Sequence, residues 1–168
     1  VKGAGFAIMG ICRPVFMDCV VRNNLGVGGG WYALPGEFDT PATRVEGCHF
    51  EGNQGHGVEM AGHFTSDQWL LLNCDIVSNG GSGVYLGALF GNVNVDLCRV
   101  TGNAAWGVHT NAFGEMPSVG REDGRPQLVG IVQRSLVSGN GSGGVLGRSE
   151  YDQVLDSEIV DNQGPGVS

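Results

Sequence analysis

The sequence is poor in basic residues, in proline, in paired cysteine motifs and in long apolar runs, and each shortage removes a class of protein. Nine Lys and Arg stand against seventeen Asp and Glu, a formal net charge of −8. A phosphate-reading surface for nucleic acid is therefore not expected, nor binding to an anionic membrane. The apolar run around Trp69–Leu72 falls far short of the roughly 20 residues that cross a bilayer. Only 6 prolines are present and glycine does not recur at every third position, which excludes collagen. The 5 cysteines include no Cys-x-x-Cys, so neither a metal site nor any other cofactor is indicated. The apolar residues also lack the 3.6-residue period of amphipathic helices. The chain starts at Val1 without a recognisable leader, so its N-terminus says nothing about compartment.

Glycine, by contrast, is abundant: 31 of 168 residues, against about 7% in globular proteins generally. With 41% apolar residues this is no flexible linker. The length predicts one domain, residues 1–168, able to bury a core without disulfide or metal staples.

Self-similarity predicts the architecture. The pattern Cys/Ser-x4-Asn-x3-Gly-Val occurs at Cys48/Asn53/Gly57/Val58, Cys74/Asn79/Gly83/Val84, Cys98/Asn103/Gly107/Val108, Ser135/Asn140/Gly144/Val145 and Ser157/Asn162/Gly166/Val167. A looser copy reads Cys19, Asn24, Gly30 and Trp31, with two residues added in the turn. Successive Asn positions lie 29, 26, 24, 37 and 22 residues apart, so the core of the repeat is constant and the connections vary. Apolar residues recur three before and two after the Cys/Ser, and the valine opens a third short strand. Three short strands per copy, separated by Gly and Asn turns, predict the coil of a parallel β-solenoid. About six coils are expected. Residues 1–10 read as the second half of a coil, with Gly5-Phe6 in the Gly-Val slot, and the chain stops in mid-coil after Val167. We therefore expect a piece of a longer β-helix, with further coils or flanking domains as partners.

The repeat resembles the right-handed parallel β-helix of the pectin-lyase-like superfamily, over essentially the whole chain. That implies an all-β fold with an asparagine ladder in one turn. The six Asn are expected to stack amide on amide, and the cysteines to be buried free thiols in one column with Ser135 and Ser157. Gly55-His56-Gly57 invites comparison with the Gly-His-Gly motif of polygalacturonases. Yet the same slot reads Gly-Ser-Gly at 81–83, and the paired aspartates are missing, so His56 is read as structural.

Two insertions follow the Gly-Val strand of their coils, at residues 33–43 and 111–128, and would wall a trough at one corner. Between them the outward position after the valine reads Tyr32, Glu59, Tyr85, His109 and Leu146. Abstracting the C5 proton of a uronate requires a base, an acid and a cation facing the carboxylate. Tyr85, His109 and Glu59 are the catalytic candidates. Tyr32, Arg44, Asn111, Arg121, Arg125 and Arg148 are the substrate-binding candidates. A second polar row, His49, Asp75 and Arg99 with Glu51 beside it, is read as surface salt links in which Asp75 is held acidic by opposite charge.

The coils are most similar to those of mannuronan C5-epimerases and polysaccharide lyases. In those epimerases an Asp-Pro-His-Glu run follows the strand start; here the slots read Val108-His109-Thr110-Asn111 and Val84-Tyr85-Leu86-Gly87. The resemblance implies a secreted or surface-displayed protein that binds, and cleaves or epimerises, an acidic, uronate-containing polysaccharide. The alternative is a non-catalytic shaft or adhesion module, such as part of a phage tailspike or a bacterial surface protein. The −8 charge leans toward the shaft and the two insertions toward the enzyme.

Overall fold

In the computed structural model the protein is described at residues 3–9, 14–32, 43–63, 69–111, 128–148 and 152–168. These residues form short strands, all paired in parallel, in a three-sided β-helix. The first sheet stacks β1 (Phe6–Met9), β4 (Gly29–Tyr32), β7 (Val58–His63), the first half of β10 (Val84–Asp96), β12 (Trp106–Thr110) and β15 (Gly143–Leu146). The second stacks β2 (Val15–Met17), β5 (Arg44–Glu46), β8 (Trp69–Leu72), the second half of β10, β13 (Leu128–Gln133) and β16 (Gln153–Leu155). The third stacks β3 (Val20–Arg22), β6 (His49–Glu51), β9 (Asp75–Val77), β11 (Arg99–Thr101), β14 (Leu136–Ser138) and β17 (Glu158–Val160). Each sheet thus takes one strand from each of six coils. In the coil of β10 the chain runs from first to second sheet as one continuous strand. Elsewhere that corner carries the longer connections.

The apolar columns of the sequence are the inward positions of these sheets. Val58, Val84 and Val108 line the first, Val45, Leu71 and Val95 the second, and Phe50, Ile76 and Val100 the third, all fully buried. Burying each such side chain contributes about 1.5–3 kcal/mol. The first coils are filled by rings: Phe6 stacks on Phe16 at 4.4 Å, and Trp31 meets Trp69 edge-on at 6.2 Å. Trp31, an aromatic near an insertion, therefore belongs to the core.

Two residues per coil have left-handed backbone, and they make the two tight corners. One precedes the Cys/Ser slot (Asp18, Gly47, Asn73, Leu97, Arg134, Asp156) and the other precedes the ladder Asn (Asn23, Gly52, Ser78, Gly102, Gly139, Asp161). Asp, Asn and Gly predominate because they tolerate this region best. The first corner also explains why Cys and Ser share a slot. Each donates its S–H or O–H to the carbonyl two residues earlier, from Cys98 Sγ to Asp96 at 3.3 Å and from Ser135 Oγ to Gln133 at 2.7 Å. Cys19, Cys48, Cys74 and Cys98 are free thiols, and burial pushes Cys48 up to about 11. Cys12 lies outside the described residues.

The second corner holds the asparagine ladder. Asn79 Nδ2 donates to Asn103 Oδ1 at 2.9 Å and to the Phe50 carbonyl at 3.1 Å, while Asn79 Oδ1 accepts from the side chain and backbone N–H of Asn53. The bond from one side-chain amide to the next repeats along the column from Asn24 to Asn162. Buried amides are thereby satisfied, which removes a desolvation cost of a few kcal/mol apiece.

The glycine before each strand-opening valine serves close approach and not a positive φ, which none of Gly57, Gly83, Gly107 and Gly144 has: a Cβ on Gly57 would lie 2.5 Å from Ile76 Cγ2 and 2.8 Å from the Gly83 carbonyl oxygen. One expectation is corrected: the looser copy has no residues added in its turn. Asn24 stacks on Asn53, and Gly29 pairs with Val58, so Gly28-Gly29 fill the Gly-Val slot. Glycine replaces valine there because the Phe6 ring from the coil below already occupies the volume, 2.4 Å from where a Gly29 Cβ would stand.

Candidate functional site

Outward residues of the first sheet form a polar row. Glu59, Tyr85, His109 and Leu146 are consecutive register partners on β7, β10, β12 and β15, as the repeat predicts. Tyr32 is not in that row: it pairs with Ala61, and Gly30 stands opposite Glu59. The misplacement follows from taking Trp31 for the valine slot. Tyr32 nevertheless reaches the row by laying its ring back over Gly30, where a Cβ would come within 2.5 Å of it. Its hydroxyl donates to Glu59 Oε2 at 3.2 Å. Burial, reinforced by the Glu59 charge, pushes the phenol up to about 12, so it stays protonated.

Around Tyr85 three coils converge. His109 meets the Tyr85 ring edge-on, with centroids 5.1 Å apart and an interplanar angle of 87°. From the other side His56 stacks flat on it at 4.6 Å and 9°. Asn111, two residues beyond His109 on the same outward side, donates from Nδ2 to the Tyr85 hydroxyl at 2.9 Å. That hydroxyl is thus an acceptor from Asn111, and its own hydrogen has no acceptor among the described residues.

His56 was read from sequence as structural, and its Nδ1 does accept the Ser82 N–H at 2.9 Å. The same bond turns its ring against Tyr85 and brings it into the cluster. No repeat pattern signals this, because the contact joins a turn residue to a strand residue one coil on. Burial depresses His56 below the usual histidine value, against the opposing pull of Glu59. His109 is depressed first by burial, then by the positive charges of Arg148 and His56. Its Nε2 is buried and has no hydrogen-bond partner among the described residues.

Arg148 leaves the end of β15 beside this cluster, and its position is set by Asp152. The Arg148 N–H donates to Asp152 Oδ2 and to Thr110 Oγ1, both at 3.1 Å. Thr110 Oγ1 donates to Asp152 Oδ2 at 2.6 Å, and the Gly130 N–H to Oδ1 at 2.8 Å. One carboxylate therefore ties together the corner that carries His109, Asn111 and Arg148. Sequence reasoning misses Asp152 because it precedes β16 at a connection where the repeat supplies no frame.

Arg44 lies on β5 of the second sheet and is paired with Glu46 at 2.7 Å, with no contact to the row among the described residues. Arg121 and Arg125 lie outside the described residues, as do most of the insertions at 33–43 and 111–128. The third-sheet row is as expected: Asp75 pairs with Arg99 at 2.8 Å and faces His49 at 3.7 Å, while His49 also meets Glu51 at 3.2 Å. The Arg99 hydrogen bond is the main cause that holds Asp75 below the usual carboxylate range. Among the described residues no three His, Cys, Asp or Glu side chains are grouped to hold a metal.

Among solved structures the chain is similar to the periplasmic alginate epimerase AlgG, with a TM-score of 0.61 at 14% identity over 95% of this chain. A point mutant of AlgG aligns with a TM-score of 0.59 at 14% identity over 98%. At this identity the likeness concerns the fold. The chain spans about two fifths of those proteins, 38% and 39% of their length. No curated protein matches the sequence. The model of the right handed beta helix region matches residues 1–115, well over half of the molecule, and the chain belongs to that family.

Proposed function

We propose that the outer face of the first sheet binds an acidic polysaccharide and removes the C5 proton of a uronate in it. The observation that carries this reading is His109 Nε2, buried, unpartnered among the described residues and held neutral by burial and by Arg148. A neutral imidazole next to a cation is what this chemistry requires of a base. Arg148 would face the substrate carboxylate and stabilise the negative charge that develops there when the C–H bond breaks. The proton passes to Nε2. The Tyr85 hydroxyl, oriented by Asn111, then either protonates the departing 4-linked oxygen, which leaves a C4–C5 double bond, or returns a proton to C5 from the opposite face.

Glu59 lies one strand beyond Tyr85 from His109, which suits it to the neighbouring sugar together with Tyr32. Of the other sequence candidates, Arg121 and Arg125 would meet carboxylates further along, whereas Arg44 on the second sheet is left out of the site. Likeness to a periplasmic enzyme supports a location outside the cytoplasm. The test is to incubate the intact protein with alginate, pectate and unsulfated glycosaminoglycans, following unsaturated products by absorbance and epimer content by NMR. We expect one class to react and the reaction to vanish in His109→Ala. No reaction with any polymer defeats the catalytic reading in favour of the shaft or adhesion module.

A further inference from the structure

The proposed base and acid, His109 and Tyr85, occupy adjacent strands, so a reacting sugar lies across that pair. Strands are spaced by about 4.8 Å, close to the advance of one linked sugar ring. The next sugar toward the N-terminal coils then lies across Tyr85 and Glu59. Three features define what that position accepts. Glu59 is an outward carboxylate with no Lys or Arg ion pair among the described residues. The only hydrogen bond to it in the described structure is the Tyr32 hydroxyl on Oε2, a neutral donor that solvates the charge without cancelling it. The Tyr32 ring, seated on Gly30, closes the far side of the position. His56, whose proton affinity burial depresses, adds an aromatic face and not a fixed cation.

We infer that the sugar beside the reacting uronate carries no carboxylate, so that the substrate is a mixed polymer of uronate with neutral or amino sugars, with Glu59 as the residue that rejects a second uronate. This rests on the reading of the site given above. Two carboxylates brought together at a partly buried position repel each other, whereas sugar hydroxyl, amide or ammonium hydrogens would be bonded by Glu59. One end of the row is thus cationic, at Arg148, and the other anionic, at Glu59, and the polymer is read by that difference.

The experiment compares polymannuronate and polygalacturonate with unsulfated chondroitin and heparosan, in wild type and Glu59→Gln, by turnover and by retention in affinity electrophoresis. Wild type is expected to prefer the mixed polymers. Glu59→Gln should raise the homopolymer-to-mixed ratio about tenfold, the scale of one like-charge contact that stays largely screened by water. Added salt should shrink the wild-type preference by screening, and change the ratio of the variant less. A wild-type preference for the homopolymers, or a ratio unmoved by Glu59→Gln while binding persists, overturns the inference and leaves the site reading intact. Binding without turnover, in a ratio that shifts with the substitution, upholds the inference and defeats only the catalytic reading. No binding to any of the four polymers overturns both.

Discussion

The outer faces of the first and third sheets carry rows of the same ingredients at the same spacing, yet their side chains are arranged to opposite effect. On the third sheet Arg99, Asp75, His49 and Glu51 engage one another within 2.8–3.7 Å, and the charges are consumed inside the row. On the first sheet His109 and Tyr85 meet ring to edge, Asn111 engages the Tyr85 hydroxyl, and the imidazole Nε2 keeps no partner among the described residues. Composition does not separate the two rows. What separates them is how far their polar atoms are already satisfied by one another.

The sharpest way to break this contrast is to remove one histidine from each row. His109→Ala should lower kcat/KM by about a thousandfold, within the range for loss of a general base, and His49→Ala should leave it unchanged. Steady-state kinetics on the reactive polymer decide it, and comparable losses in both variants would dissolve the distinction. Both rows rest on one scaffold, so Asn79→Leu should harm them equally. It removes the acceptor of the Asn53 side-chain and backbone N–H groups and the side-chain donor to Asn103, and should cost about 3 kcal/mol in urea unfolding.

A smaller effect tests the electrostatics of the first row. Because His109 is depressed, it remains neutral to below its ordinary value near 6.5, and activity should fall only as pH drops beneath that point. Arg148→Ala removes a charge that disfavours the imidazolium, so the acid limb of the kcat/KM profile should move to higher pH. The smallest effect belongs to the third row. Asp75 is held acidic by Arg99, so its contribution is present above the ordinary carboxylate value and is lost as pH falls through its lowered one. Its side chain is 42% and that of Arg99 49% exposed. Asp75→Asn should therefore cost at most about 0.5 kcal/mol at neutral pH, checked by the same unfolding experiment.

Much of the architecture was legible because a solenoid repeats its physics. The Asn, Cys/Ser and inward apolar columns each recur with one environment per slot, so six weak signals add. The row Glu59, Tyr85 and His109 was legible for the same reason: it keeps register with the valine column. Legibility failed wherever a contact left the repeat. Gly29 took the valine slot because a ring from another coil filled its volume, and that displaced Tyr32 by two positions. Asp152 acts on Thr110 and Arg148 through a corner whose length differs in every coil. His56 was judged by its motif, whereas its place in the site comes from a ring stacked across coils.

The constancy of the ladder has a consequence for how such a site is measured out. Connections of 26, 24 and 37 residues separate successive ladder asparagines from Asn53 to Asn140, yet each advances the column by a single strand spacing. Distance along the row is therefore quantised, counted in whole coils and indifferent to the amount of chain spent at the corners. Lengthening an insertion can change what hangs over the row without altering its pitch. Adding or deleting one whole coil between Glu59 and His109 would move the two ends of the site by one sugar-sized step while every amide in the column still found its neighbour.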